Sequence, residues 1–589
     1  MNRLESASEG RPAAYVFDDV RVERHNVRVL KGGQPRTIEP RAFDVLIFLI
    51  EHRGRVVEKQ ELFEQVWKQS FVTDSALAQE IKNIRQVIGD NAHSPRYIET
   101  VPKHGYRFIA EVTVVAPAPE IARGIKDTAP RSAIAVLPFV NLTGDSENDY
   151  FCDGLSEELI SRLAKLKELR VVAQTSSFSF KGREPDVREI GRKLKAGTIL
   201  EGSVRKIGDR LRISAQLINA ADGYHMWAEA YDRRWDDPFS IQDEISLAIV
   251  DKLKVELFPG DRTALVKRYT ENLKAYHLYL KGRYFWNKRS EPGVMQKAID
   301  YFQQAICVDP RYALAYAGLA DTYSILGVSA FRAPREVFPL AKAMVEKAFE
   351  IDSELAEAHT SLGIIHLAND YDCAAAEREL KRALELNSGY VLAHQWYSYV
   401  LTVMGRMDEA LARIGQAMEL DPISPTVNAA AGRALCYARQ YEASVEQLQK
   451  TIELDSHLGL AHFYLGQTYT LQGKYKEALA VFQKALEISG EFPWATSYIG
   501  HVYGLSGERD KAREIIHEWQ QQRKMLPVPT AVIYLGLGED DKVFEYLDRG
   551  YEERDFLMPW INAMPDFDRL RPDPRFQDLM RRIGLAFDG

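Results

Sequence analysis

Residues 73–90 read TDSALAQEIKNIRQVIGD. Thr73 and Asp74 are residue types that cap a helix N-terminus, and Gly89 stands where a left-handed residue closes one. Between them Leu77, Ile81, Ile84 and Ile88 recur at helical spacing and form one apolar face. The opposite side holds Ser75, Gln79, Lys82, Asn83 and Gln86, with Arg85 on the flank. Gln and Asn can pair bidentately with adenine, and Lys reaches guanine or a phosphate, so this face has the chemistry that reads base edges. A solvated helix face would have the same composition, and the helix alone does not choose between the two.

The flanking sequence narrows the choice. Residues 98–108, IETVPKHGYRF, are a strand, a turn through Pro102–Gly105 and a returning strand. Thr100, Lys103, His104 and Arg107 offer phosphate donors beside the helix, while Tyr106 and Phe108 pin the returning strand to a core. Upstream, YVFDDVRV and VRVLKG alternate like strands. EPRAFDVLIFLIEHRG is a helix with Pro40 at its first position and Gly54 past its end, and KQELFEQVWK is a second short helix. The chain carries a net charge of −8, yet residues 1–110 hold 17 Lys+Arg against 15 Asp+Glu. A DNA-binding surface here is therefore local and modest in charge.

Taken together, LxxxIxxIRxxIGD and IETVPKHGYRF resemble the winged helix of OmpR-type response regulators. The likeness is closer to ToxR- and CadC-like regulators, which carry this domain at the N-terminus without a receiver. The resemblance implies that the third helix enters the major groove and the wing meets the adjacent minor groove or backbone. Position by position it implies Gln79, Lys82, Asn83 and Gln86 for the major groove, Arg85 and Thr100 at phosphates, and Lys103, His104 and Arg107 in the wing. It also implies that WKQSFVTD (67–74) is the loop that meets RNA polymerase, although Trp67 and Phe71 suit a core equally well. Two features depart from the pattern. CadC-like relatives usually carry a transmembrane helix after this domain, where this chain has the polar linker TVVAPAPEIARGIKDTAPR (113–131). There is no receiver, so activation by a phospho-aspartate is not implied.

Residues 132–258 alternate strand and helix patterns: AIAVLPF, DGLSEELISRLAKL opened by Asp153, RVVAQ, PDVREIGRKLKA, a hairpin turned at Gly208-Asp209, the strand HMWAEAYD and a closing helix. The stretches AIAVLPFVNLTGDSENDYFCDGLSEEL and ILEGSVRKIGDRLRISAQLINAADGYHMWAEAYD resemble a TolB-like α/β module. The cluster Asp145, Glu147, Asp149, Asp153 lacks the closing Glu of a calcium loop and reads as a helix cap with a solvated loop. The run QTSSFSFKG (174–182) is a loop with a weak anion-binding character. Neither GxxxxGK[ST], HExxH nor GxSxG occurs, so no enzyme and no cofactor is expected.

From about residue 272 the sequence repeats. AICVDP, AFEIDS, ALELNS, AMELDP, TIELDS and ALEISG place Asp309, Asp352, Asn387, Asp421, Asp455 and Ser489 at a period that settles to 34 residues. Each is preceded by a small–large–small pattern such as Ala376/Leu380/Ala383, and the other helix of the pair carries a small residue, such as Gly363, Gly432 or Gly466. Small residues at fixed spacing let two helices approach closely. This resembles the tetratricopeptide repeat, a protein-interaction solenoid. The closing PDFDRLRPDPRFQDLMRRIGL reads as a polar cap. Tyr316, Trp396, Tyr464 and Trp494 read as inter-repeat core sooner than as a peptide site.

The expected architecture is multidomain. It has an α+β winged helix-turn-helix over 1–112, a linker over 113–131, a small α/β domain over 132–258 and an all-α tetratricopeptide-repeat solenoid with a C-terminal cap over 259–589. Four scattered cysteines, no signal-peptide core and no apolar run of membrane-spanning length point to a cytoplasmic chain with no membrane contact. The expected function is bacterial transcription regulation on double-stranded promoter DNA, with RNA polymerase, a protein or peptide bound by the repeats, and further copies on DNA as partners. The alternatives are an adaptor whose winged helix docks proteins, and a nucleotide cyclase in 132–258, which no metal or phosphate motif supports.

Overall fold

The computed structural model describes residues 14–585 except 24–27, 33, 37, 68–73, 93, 103, 116–131, 146–147, 184–185, 235–237, 256–260, 262–264, 290–292, 330–331 and 523–525. The chain divides into two compact units, Met1–Glu120 and Ile121–Gly589.

The first unit opens with four antiparallel strands, β1 (Ala14–Phe17), β2 (Val20–Glu23), β3 (Arg28–Lys31) and β4 (Gln34–Arg36). Helix α1 (Pro40–Glu51) begins at a proline whose missing N–H costs nothing there. A short strand β5 (Val57–Glu58), helix α2 (Lys59–Leu62) with a further turn through Trp67, and helix α3 (Asp74–Ile88) follow. Strands β6 (Ile98–Val101) and β7 (Gly105–Phe108) make the hairpin, and β5 completes a sheet of order β5-β7-β6. A strand β8 (Thr113–Val115) pairs antiparallel with β1. Those three residues, expected to start the linker, instead extend the first sheet to five strands. Alternation explains the core: Tyr15, Phe17, Val20, Val22 and Val29 point inward from the sheet. They meet Phe43, Leu46 and Ile50 of α1, and Leu77, Ile81, Ile84 and Ile88 of α3.

The second unit holds a mixed six-stranded sheet and the repeats. Strands β9 (Ser132–Val136), β11 (Leu169–Val171) and the start of β12 (Thr198–Ile207) run parallel. β10 (Val140–Asn141) adds to β12, and β13 (Arg210–Asn219) and β14 (His225–Arg234) continue antiparallel from it. Helices α4 (Asp149–Leu163), α5 (Gln174–Phe178), α6 (Val187–Leu194) and α7 (Pro238–Leu253) pack around this sheet. Helix α4 begins at Asp149, so Asp153 is not its cap; it lies inside the helix, with both carboxylate oxygens 2.6 Å from Lys181 Nζ. Residues 174–178, read as a loop, are helical.

From Leu273 to Glu553 the chain is paired helices. A side chain at Gly363, Gly432 or Gly466 would collide with Leu380, Leu448 or Phe482 of the second helix in the same pair. The small–large code is thus a direct helix-to-helix contact. Two expectations need correcting. The boundary at 258/259 is not a break: one apolar core runs from Ile134, Leu159 and Ile249 of the sheet region into Tyr276, Phe302 and Phe338 of the first repeats. And the closing segment is not merely polar. Met558, Trp560, Ile561, Phe567, Leu570, Phe576, Leu579 and Met580 are all buried. That segment turns back over the first helices of earlier repeats. Tyr371 donates to the Asp555 carbonyl (2.7 Å), Asn562 to the Val403 carbonyl (2.8 Å) and Tyr498 to Asp566 (3.0 Å). Arg433 lies 4.1 Å from the ring centroids of both Tyr399 and Trp560. Trp396 and Tyr464 are buried, as inter-repeat core. Among the described residues no helix is long and apolar enough to cross a membrane.

Candidate nucleic-acid interface

Helix α3 presents its polar face because its apolar face is fully used. Leu77, Ile81, Ile84 and Ile88 are buried, which leaves Gln79, Lys82 and Gln86 exposed and Asn83 partly so. Gln79 Nε2 donates to Asn83 Oδ1 (3.0 Å), one turn on, so the two amides present themselves as a pair. Glu80 flanks them, and burial raises its pKa. Ser75 lies on the helix, but its side chain is outside the described residues.

The helix stops at a built terminus. Gly89 takes a left-handed conformation (φ +74°), and the Asp90 N–H returns to the Arg85 carbonyl (2.8 Å). Lys31 Nζ, from the first sheet, donates to the Ile88 carbonyl (2.7 Å), placing a cation at the negative end of the helix. Asp90 then accepts the backbone N–H groups of Arg96 (2.7 Å), Tyr97 (3.3 Å) and Ile98 (2.8 Å), fixing the start of the wing to the end of the helix.

Arg85 departs from its expected place. Its Nη2 donates to the Ile98 carbonyl (2.7 Å) and the Thr100 hydroxyl (2.9 Å), and its Nε is 3.8 Å from Asp90. The side chain is only 12% exposed. The sequence reading put Arg85 and Thr100 at phosphates; the structure joins them to each other, as a clamp between helix and wing. The physical reason is reach: Arg85 sits on the flank nearest β6, where a buried carbonyl needs a donor.

In the wing, Thr100 pairs across from Tyr106, and Glu99 from Arg107. Arg107 forms a 2.9 Å ion pair with Glu99, both side chains more than a third exposed, so this contact contributes little. His104 is exposed at the tip, and its carbonyl accepts the Lys59 N–H (3.3 Å). Gly105 allows β5 to approach closely, because a Cβ there would strike the Val57 carbonyl. Lys103 and the loop 68–73 lie outside the described residues. The structure therefore brings Gln79, Lys82, Asn83 and Gln86 together on one face, and ties that face to a wing bearing His104 and Arg107. Sequence reasoning missed the positioning set Lys31, Asp90 and the Arg85–Thr100 pair; the spacing of Arg85 and Asp90 around a glycine stop was the available signal.

Elsewhere, no group of three or more His, Cys, Asp or Glu among the described residues is arranged to hold a metal. Asp149 accepts a hydrogen bond from Asn141 (2.7 Å) and Asp153 is paired with Lys181, while Glu147 lies outside the described residues. The run 174–182, read as a loop of weak anion-binding character, meets a carboxylate from within: Asp421 of a repeat accepts the Ser176 N–H (2.9 Å), and the Leu420 carbonyl accepts that of Ala173 (2.8 Å).

Comparison with known families agrees with this geometry. Residues 33–108 match "Transcriptional regulatory protein, C terminal", and the first domain is an OmpR/PhoB-type winged helix. Residues 459–492 match "Tetratricopeptide repeat". Where the sequence suggested a TolB-like module, residues 130–248 match "HilA/YgeH-like transcriptional regulator, second domain". Among individual relatives, "Putative adenylate cyclase 3" of Rhizobium meliloti is 35% identical over 239 residues, 40% of each chain. "Transcriptional regulator HilA" of Salmonella typhi is 24% identical over 442 residues, 73% of this chain and 74% of that one. "Transcriptional activator CadC" of Escherichia coli is 41% identical over 86 residues, 14% of this chain and 17% of that one.

Proposed function

We propose that this chain regulates transcription by binding promoter DNA through its N-terminal winged helix, in the cytoplasm, with the sheet domain and repeats receiving the regulatory input. Gln79, Asn83 and Gln86, with Ser75 at the start of the helix, read bases in the major groove, and Lys82 contacts guanine or a phosphate. Lys103, His104 and Arg107 grip the backbone from the wing, and Arg85 with Thr100 holds the wing at the right angle to the helix. The loop 67–74 contacts RNA polymerase, and a protein or peptide partner binds the repeats. The observation that carries this reading is the exposed Gln79–Lys82–Gln86 face on a helix locked at both its terminus and its flank to the wing. It is a rigid recognition element in the sense that a merely solvated helix need not be.

The test is DNA selection and salt-dependent binding by the intact chain, compared with Lys82→Ala. Sequence-specific binding that weakens with salt, and weakens further in the variant, supports the reading. No sequence-specific binding by either the parent or the variant, with stable co-purifying partners instead, refutes it, as the adaptor alternative expects. The non-enzymatic part is tested separately, by incubating the purified chain with ATP or GTP and a divalent cation: cyclic nucleotide formation overturns it.

A further inference from the structure

Strand β12 pairs antiparallel with β13, and β13 with β14, which forms that edge of the sheet. Leu211, Ile213, Ala215 and Leu217 of β13 are buried, so alternation turns Arg210, Arg212 and Ser214 to the other face. On that face the outermost row is Ile207, Arg210 and Arg234, and the next is Arg205, Arg212 and Asp232. Ser203, Ser214 and Ala230 make the third. Four exposed guanidiniums thus stand against one carboxylate, in a chain of net charge −8. That carboxylate is already engaged: Asp232 Oδ1 lies 2.9 Å from Arg210 Nε and 2.7 Å from its Nη2. Arg205 and Arg212 stand directly opposite each other, and among the described residues neither has a hydrogen bond or an ion pair. Like charges directly opposite on one face destabilise a sheet, so this pair is unfavourable until an anion lies across it.

The surroundings say which kind of anion. Arg210 and Arg212 are about 7 Å apart along β13, and Arg205 extends the second row onto β12, so the cations form a strip on an open strand face. An isolated small anion on so exposed a surface gains little over water. A polyanion engages several guanidiniums at once and releases its condensed counterions. Protein interfaces centre on buried aromatic or aliphatic anchors, whereas these rows offer Ile207 at the tip and otherwise small or charged side chains. We propose that this face is a second DNA-binding surface, on which Arg205 and Arg212 together grip backbone phosphates of duplex DNA without reading bases. The hydroxyls of Ser203 and Ser214 offer further donors beside them. Duplex DNA as the polyanion rests on the function proposed above; the unpaired guanidiniums do not.

The test titrates the full chain with site-bearing and random-sequence duplexes of about four helical turns, comparing Arg205→Gln/Arg212→Gln with the parent between about 50 and 200 mM salt. Two lost phosphate contacts lower the slope of log K against log salt by about 1.8, so across that range the parent loses about tenfold more affinity than the variant. Base preference stays unchanged, and the thermal midpoint is equal or higher because the opposed charges are gone. An unchanged slope with base preference intact overturns this surface alone, and so does a lowered midpoint, which marks a pair that serves the fold. A parent without base preference whose slope still falls in the variant refutes the winged-helix reading and leaves this surface standing. Binding of neither duplex by the parent overturns both. Single-stranded RNA of equal length held more tightly than duplex, and released by the double substitution, overturns DNA as the partner.

Discussion

Replacing Arg85 by alanine separates two roles that the sequence could not distinguish. In the structure its guanidinium makes bonds of 2.7 Å to the Ile98 carbonyl and 2.9 Å to the Thr100 hydroxyl, with Asp90 3.8 Å away. Hydrogen bonds from a charged donor contribute about 1.5 kcal/mol each, so the loss of both destabilises the winged helix by about 3 kcal/mol. The Ile98 carbonyl is left without its donor, which keeps the figure from falling much lower. Arg85→Lys preserves the charge but has one ammonium where a planar fork bridged two acceptors, and recovers less than half of the loss. DNA binding then distinguishes clamp from phosphate contact. A lost phosphate contact lowers the slope of log K against log salt by about 0.9, whereas a lost clamp weakens binding without changing the slope. The assay is urea unfolding of residues 1–120, a compact unit with its own core, together with DNA titrations at several salt concentrations. Unchanged stability with a slope reduced by about one would refute the assignment.

Within the recognition face, Lys82→Ala should weaken binding across all sequences and lower the salt slope by about one, while Gln86→Ala should change base preference by about 1–3 kcal/mol at one position and leave the slope alone; binding-site selection at two salt concentrations checks both. Gly105→Ala forces a methyl group against the Val57 carbonyl and should cost about 2 kcal/mol or more, read as a lower urea midpoint of the same domain. Trp560→Ala removes one face of the Arg433 sandwich and should destabilise the second unit by about 3–5 kcal/mol in thermal or denaturant melts of the full chain. Burial raises Asp555 to about 6 despite N–H donors from Leu557 and Val528. Its pKa is higher folded than unfolded, so the stability linked to its proton is full below about pH 4 and is lost as pH rises through about 6. Asp555→Asn should therefore gain on the parent by about 1–2 kcal/mol between pH 5 and 7.5, and parallel pH profiles of the two would exclude this role.

Much of the winged helix was legible in the sequence because its signals are local. The spacing of Leu77, Ile81, Ile84 and Ile88 specifies which side of α3 is buried, and so which side is left for Gln79, Lys82 and Gln86. Gly89 marks the stop and Pro40 the start for backbone reasons that need no tertiary partner. The repeats were legible for a related reason: a small residue recurring opposite a large one records a helix contact in one dimension, and Gly432 against Leu448 is that contact realised.

What the chain folds back upon was not legible, because long-range pairing leaves no periodic trace. Thr113–Val115 look like linker until β1 offers them an edge. The run 174–178 looks like a free anion loop until Asp421, almost 250 residues away, supplies the anion. Asp153 looks like a cap until Lys181 reaches it inside the helix. The sequence by itself determined the helix and strand patterns, the polar face of α3 and the repeat period, since each leaves a regular spacing along the chain. Only the tertiary structure decided that Arg85 grips Thr100, that the sheet and the first repeats share one core, that the C-terminus covers earlier repeats and that β14 is left as an edge. Each of these is a competition among distant donors, acceptors and apolar faces for the same partner, and it is resolved by three-dimensional proximity.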